Sequence, residues 1–114
     1  MEKLVAQGLL YDFYGELLTA HQRRVYEDVV FNDLSPSEIA GELGISRQGV
    51  HDLMKRCDKI LEEYEAKLHL VAKFVEIRDM AREVEQLADE RARTRDMALI
   101  EQIHELAGKI TGTL

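Results

Sequence analysis

The sequence predicts an all-α protein, with a helix-turn-helix head followed by a long helix and a C-terminal helix. Three observations carry that prediction. Apolar residues recur at spacings of three and four along most of the chain, the signature of amphipathic helices. Helix-start signals stand at Thr19, Ser35 and Ser46. From Val50 to Ala107 neither glycine nor proline interrupts the pattern. There is no strand-like alternation, internal repeat or low-complexity tract.

The first helix is expected to carry Leu4, Val5, Leu9, Leu10, Phe13, Leu17 and Leu18 on one face, weakening at Gly15. Thr19-Ala-His-Gln22 reads as a capping box, in which Thr19 and Gln22 satisfy each other's orphan amides. The helix it opens should bury Val25, Val29 and Val30, with Tyr26 at the margin, and end at Asn32 and Asp33. Ser35-Pro36-Ser37-Glu38 reads as a second capping box, with proline at the first helical position. Gly44 suits a left-handed C-terminal cap, and Ser46 an N-cap for the next helix.

Beyond Val50, apolar residues at Leu53, Cys57, Ile60, Leu61, Tyr64, Leu68, Val71 and Val75 suit one helix of unusual length. A second stripe, Leu70, Phe74, Ile77, Ala81, Val84 and Ala88, steps by 4, 3, 4, 3, 4, as a coiled-coil seam does. Thr94 is the expected N-cap of a last helix that turns Leu99, Ile103, Leu106 and Ile110 inward. The natural division is a head over residues 1–66 and a helical tail over 67–114. The seam residues Leu70, Phe74, Ile77, Ala81 and Val84 are the dimerisation candidates, so a homodimer is expected.

The 114 residues suit one domain of ordinary size. A net charge of -7 argues against indiscriminate attachment to nucleic acid, which usually needs a basic protein. Cys57 is the only cysteine, so no disulfide forms within the chain and a reducing, cytoplasmic setting is expected. The N-terminus lacks signal-peptide character. No apolar run approaches the ~18 to 20 residues that span a bilayer, so no membrane insertion is expected.

A helix-turn-helix needs two helices meeting steeply through a tight turn. Ala40 is small where the second helix must cross. Gly44 can turn the chain. Ile39, Leu43, Ile45, Val50 and Leu53 can form the shared apolar wedge. The exposed side of the second helix then carries Arg47, Gln48, His51, Asp52 and Lys55. Arginine and glutamine make bidentate contacts to guanine and adenine edges. Arg56 and Lys59 could reach phosphates, and Arg23 and Arg24 could add a backbone clamp. From Arg47 to Arg56 three basic side chains oppose one acidic, a local charge of +2. Asp52, with Glu38 and Glu42 nearby, opposes phosphate. The nucleic-acid surface expected is therefore Arg47, Gln48, His51, Lys55, Arg56, Arg23 and Arg24, with DNA the first choice of partner and RNA the second.

Three segments resemble a known family. They are Leu9-Leu10-Tyr11-Asp12-Phe13-Tyr14-Gly15-Glu16-Leu17-Leu18-Thr19, Leu34-Ser35-Pro36-Ser37-Glu38-Ile39-Ala40 and Gly44-Ile45-Ser46-Arg47-Gln48-Gly49-Val50. Together they are similar to the YlxM-type proteins, small bacterial helix-turn-helix proteins whose N-terminal part resembles region 4 of sigma factors. The resemblance runs from about Leu4 to Phe74. It implies a sigma-region-4-like head with a helical tail. It also implies a regulatory role linked to the signal recognition particle, whose components become expected partners. It carries no catalytic residue.

Catalytic chemistry is not expected, nor a cofactor or metal. His21, His51, His69 and His104 are scattered, and Glu65 with His69 makes only two candidate ligands on one helix. Cys57 falls on an inward stripe, as a buried thiol does. The seven glycines form no phosphate-cradling loop. The chain reads as a non-enzyme. Three roles compete: a dimeric DNA-binding regulator with recognition helices about 34 Å apart, an accessory factor of the signal recognition particle, and a helix-turn-helix used only for protein docking.

Overall fold

The computed structural model describes residues 2–95 and 97–114; Met1, and Asp96 in the connector before the last helix, lie outside the described residues. Six α-helices follow in order: α1 Lys3–Tyr14, α2 Ala20–Val30, α3 Pro36–Leu43, α4 Arg47–Leu68, α5 Leu70–Thr94 and α6 Ala98–Thr113, with a 3-10 turn over Gly15–Leu17. No strand occurs among the described residues. The helices form two compact units, a head ending at His69 and a tail over Leu70–Leu114.

Local signals set the head's helix boundaries. The Thr19 box closes both ways: the Gln22 amide donates to Thr19 Oγ1 at 3.2 Å, and the Thr19 amide to Gln22 Oε1 at 3.0 Å. Ser35 Oγ accepts the Glu38 amide at 3.1 Å and Pro36 opens α3. The reciprocal bond, from the Ser35 amide to the Glu38 carboxylate, is expected from the sequence but is not formed. Gly44 ends α3 at φ 68°, and the amides of Gly44 and Ile45 both donate to the Ala40 carbonyl. Ser46 Oγ then accepts the Gly49 amide at 3.0 Å and starts α4.

Val25, Ile39, Ala40 and Val50 form the buried centre of the helix-turn-helix, flanked by Val29, Leu34, Leu43, Leu53 and Met54. Ile45 departs from the expected wedge. It follows the left-handed residue directly and stands 41% exposed at the tip of the turn.

A second buried layer joins α1 and α2 to the middle of α4, and it is partly polar. Asp58 accepts both oxygens' worth of contact from Gln7 Nε2, at 3.0 and 3.1 Å, and a hydrogen bond from the Tyr26 hydroxyl at 2.7 Å. The Tyr14 hydroxyl donates to Glu65 at 2.6 Å. Tyr11 stacks on Tyr26 with ring centroids 5.6 Å apart, and meets Phe31 edge-on at 5.5 Å. A Cβ on Gly15 would come within 2.8 Å of the Tyr11 ring, so glycine there leaves room for this stack.

That layer corrects the expected faces of α1 and α2. Gln7 and Tyr14 are buried in α1, whereas Leu4 (56%), Val5 (50%) and Phe13 (40%) stand exposed. Tyr26, expected at the margin, is fully enclosed. Tyrosine and glutamine can be buried because each polar end finds the α4 carboxylates.

The expected single helix beyond Val50 is two helices. His69 takes φ 57°, its amide donating to the Glu65 carbonyl at 2.8 Å, and ends α4. Histidine is among the few non-glycine residues that enter this region readily. At roughly 100° per residue, the Leu70–Ala88 stripe would lie about 160° from the face that α4 buries. The break frees that stripe from the orientation α4 would impose.

In the tail, α5 and α6 form an antiparallel hairpin. Leu99 is buried, and Ile103, Leu106 and Ile110 are half-buried, the inward face expected. Thr94 is not the cap of α6. It is the last residue of α5, and its Oγ1 donates back to the Glu90 carbonyl at 2.8 Å. Met97 occupies the cap position without a side-chain capping bond; its sulfur accepts from Arg91 Nη2 at 3.2 Å. A hydroxyl four residues beyond a helix carbonyl can satisfy itself within the helix, which a sequence signal for capping does not distinguish.

Three outcomes follow for stability. Asp58→Ala leaves Gln7 and the Tyr26 hydroxyl without their acceptor and should cost about 2 to 5 kcal/mol in urea unfolding. Gly44→Ala forces a Cβ into the left-handed region and should cost about 1 kcal/mol or more. Burial, aided by the Asp58 charge, pushes the Cys57 thiol from 9.0 up to about 11. Its folded form holds the proton more tightly than the unfolded chain. This contribution is therefore complete below pH 9 and is lost as pH rises from 9 to 11. Cys57→Ala should flatten the stability profile across that window.

Candidate nucleic-acid interface

The second helix of the helix-turn-helix is the N-terminal part of α4, which begins at Arg47. At roughly 100° per residue, Arg47, Gln48, His51, Asp52 and Lys55 share an arc of about 140°. Val50, Cys57 and Leu61 occupy the other side and are buried. The packing of that apolar side therefore orients the polar arc. Arg47, Gln48, His51, Lys55 and Arg56 are all exposed. The first turn of α4 contains no acidic residue, and its unpaired amides add the partial positive charge of a helix start.

One side chain in the arc is already engaged. Gln48 Nε2 donates to Asp52 Oδ1 at 3.0 Å. This bond holds the amide along the helix surface. A base edge would have to replace it, or accept the Gln48 geometry that Asp52 fixes.

The structure adds a cation that the sequence did not single out. A cleft of about 300 Å³ lies between the first turn of α1 and the face of α4, and is lined by Lys3, Gln7, Pro36, His51, Lys55 and Asp58 among others. Lys3 therefore stands beside His51 and Lys55, although 48 and 52 positions separate them in the chain. Its neighbours depend on how α1 packs, and no local pattern records that.

Arg23 and Arg24 are placed differently from the Arg47 group. Thr19 and Gln22 share a cavity with Ile60, Glu63, Tyr64 and Lys67, which puts the start of α2 beside the C-terminal half of α4. Arg23 Nε also donates to the Tyr11 hydroxyl at 3.4 Å, and that hydroxyl donates to Glu27. The Tyr11 bond, with the negative charge nearby, holds the Arg23 guanidinium above its ordinary pKa. Arg23 thus braces α1 against α2, and Arg24 is exposed beside it. The two arginines do not converge with Arg47, Gln48, His51 and Lys55.

The dimerisation candidates lie in the other unit. Leu70 (41%), Phe74 (40%) and Ala81 are exposed, while Ile77 and Val84 are half-buried on the arc of α5 that α6 covers. Among the described residues, no cluster of three or more His, Cys, Asp or Glu side chains could hold a metal ion. Among the described residues, no helix is long and apolar enough to cross a membrane.

This architecture agrees with the comparisons to known proteins. Residues 1–104 match the model of the UPF0122 family, described as "Putative helix-turn-helix protein, YlxM / p13 like". A UPF0122 protein of Halalkalibacterium halodurans is 38% identical over 107 residues, covering 93% of this chain and 98% of that protein. One from a Thermoanaerobacter species is 44% identical over 103 residues, covering 90% and 88%. One from Caldanaerobacter subterraneus is 49% identical over 81 residues, covering 71% and 67%. The family match reaches residue 104, inside α6, well past Phe74 where the resemblance read from the motifs stops. A family-model match over residues 1–104, with relatives 38% and 44% identical over nine-tenths or more of the chain, places this protein in the UPF0122 family of YlxM / p13-like helix-turn-helix proteins.

Proposed function

We propose that this protein is a cytoplasmic regulator that binds nucleic acid, with duplex DNA preferred, through the N-terminal half of α4. The observation that carries the reading is the exposed arc of Arg47, Gln48, His51 and Lys55, held outward by the burial of Val50 and Cys57 behind it. In a helix-turn-helix this is the part of the second helix that enters the major groove. Arg47 and Gln48 are suited to base edges, and Lys3, Lys55 and Arg56 to phosphates. The head carries eight basic and thirteen acidic side chains, a net charge of -5. Binding should therefore be confined to this one surface and be sensitive to salt.

A second reading is favoured by one contact. The hydrogen bond from Gln48 to Asp52 satisfies the amide within the helix, as a surface that meets protein would allow. On that reading the helix-turn-helix is a docking module. The family resemblance supplies the setting for either reading, the signal recognition particle, whose RNA and GTPase are the partners to offer.

Fluorescence anisotropy on duplex genomic fragments and on the particle's RNA separates these readings. Arg47→Ala with Gln48→Ala should weaken binding by roughly tenfold or more. Lys3→Ala should weaken it evenly across sequences and lower the salt slope by about 1. With four to six phosphates engaged, the slope itself should be about -4 to -5. Unchanged affinity in the Arg47/Gln48 double variant rules out this recognition surface. Capture of the GTPase without binding to either nucleic acid favours docking.

A further inference from the structure

The tail hairpin buries only one side of each apolar seam. Leu99 is the sole fully buried residue of α5 and α6 among those described. On α6, Ile100, Ile103, Ala107, Ile110 and Leu114 repeat at steps of 3, 4, 3, 4, a heptad seam like that of α5. Its inner members Ile103 and Ile110 are half-buried, while Ile100 (43%), Ala107 and Leu114 (86%) remain exposed. On α5, Ile77, Met80, Val84 and Leu87 are half-buried, while Leu70, Phe74, Ala81 and Ala88 are exposed.

These open halves share a face. Viewed down α5, the exposed stripe lies about 80° clockwise from the half-buried one. On α6 the exposed stripe lies about 90° from the buried one in the same rotational sense along its own chain. Because α6 runs antiparallel, the two turns bring both stripes to the same side of the hairpin. The reverse side carries Asp79, Glu83 and Glu90 on α5, and Gln102, Glu105 and Lys109 on α6. Each helix of a four-helix bundle needs two such contact flanks; α6 fills one flank of α5, and on the other Val71, Val75 and Arg78 are half-buried while Ala81 and Ala88 are exposed.

We infer that the occupant of this face is a second copy of the same hairpin, related by a two-fold axis and completing a four-helix bundle with α5 antiparallel to its counterpart. Two features select a second copy. The first is charge. Arg78, Arg82, Glu85 and Asp89 line the outer border of the α5 seam, two positive charges followed by two negative. Within one helix, Arg78 with Arg82 and Glu85 with Asp89 are like-charged pairs four apart, which are unfavourable. In an antiparallel pair centred between Glu83 and Val84, Arg78 meets Asp89 and Arg82 meets Glu85, twice over. Arg78 is well placed for this border: it lies over the Phe74 ring at 5.9 Å, with Asp79 on its other side at 3.5 Å. The second feature is area. Helices of 25 and 16 residues present a face of about 600 Å². Two such faces make about 1,200 Å², the lower bound of stable specific interfaces. Ala81, Ala88 and Ala107, set among larger residues, allow the layers to interdigitate.

Sedimentation equilibrium on the full chain tests this. The native chain should dimerise in the micromolar range. Arg78→Glu with Arg82→Glu places four negative charges on one border, and Glu85→Arg with Asp89→Arg places four positive. Each variant alone should self-associate at least about tenfold more weakly. An equimolar mixture of the two should restore the dimer. Ile100→Asp, at an exposed position that folding does not need, should yield monomers whose far-ultraviolet circular dichroism keeps its helical signal. A native chain that stays monomeric overturns the inference and leaves the face to a different protein. A dimer indifferent to Ile100→Asp uses another surface. Failure of the charge variants to rescue each other excludes the antiparallel α5 pairing.

Discussion

Asp58 stands near the middle of α4, and its carboxylate is where three helices of the head are tied together. Gln7 reaches it from α1 and Tyr26 from α2. A carboxylate in such a place is costly unless several donors meet it, and here a side-chain amide and a hydroxyl do. The consequences spread outward. With Gln7 and Tyr26 fixed, Tyr11 can stack on Tyr26 and Tyr14 can reach Glu65, so α1 lies along α4 by its polar edge. The raised pKa of the Tyr26 hydroxyl and of the Cys57 thiol have the same origin, burial beside one negative charge. Apolar packing alone would let α1 slide along α4; directional bonds to one carboxylate specify its register.

The same constraint decides what α4 can show to a partner. Below Asp58, Val50 is locked against Val25 and Ile39, so the opposite arc from Arg47 to Lys55 must face outward. The Gly44 turn and the Ser46 cap set where that arc begins. The first turn of α1, carried by the Gln7 anchor, brings Lys3 to the margin of the arc. Acidic side chains cover much of the remaining head. On the proposed reading, this arc is where a partner with negative charge would bind.

The tail obeys a different logic. Two helices can cover only one flank of each other, and a seam with a 3-4 repeat has two flanks. The hairpin leaves a connected apolar face on one side and a charged one on the other. Its border pairs Arg78–Arg82 and Glu85–Asp89 are like-charged within the helix, and the four charges are complementary under two-fold rotation.

The helix inventory of this protein was legible in its residues, because caps and periodicity are local. Thr19, Ser35, Gly44 and Ser46 act within four positions of themselves, and each does in the fold what its type implies. The wedge of Ile39, Ala40 and Val50 was legible for the same reason, as was the outward arc from Arg47 to Lys55, since burying one helix face dictates the other. Features that depend on distant partners were not. Tyr14, Tyr26 and Gln7 look like surface or marginal residues until Asp58 and Glu65 arrive from more than thirty positions away to satisfy them. The break at His69 has only a weak local marker, because histidine tolerates the left-handed region but sits in helix interiors as well; the core ends there, and the next apolar stripe faces another way. Thr94 illustrates the converse: a hydroxyl that suits a cap bonded instead to its own helix. The sequence by itself determined where α2, α3 and α4 begin and which way the helix-turn-helix turns its apolar face. Only the tertiary structure decided which polar groups could be buried, because a buried donor is affordable solely where another element supplies its acceptor.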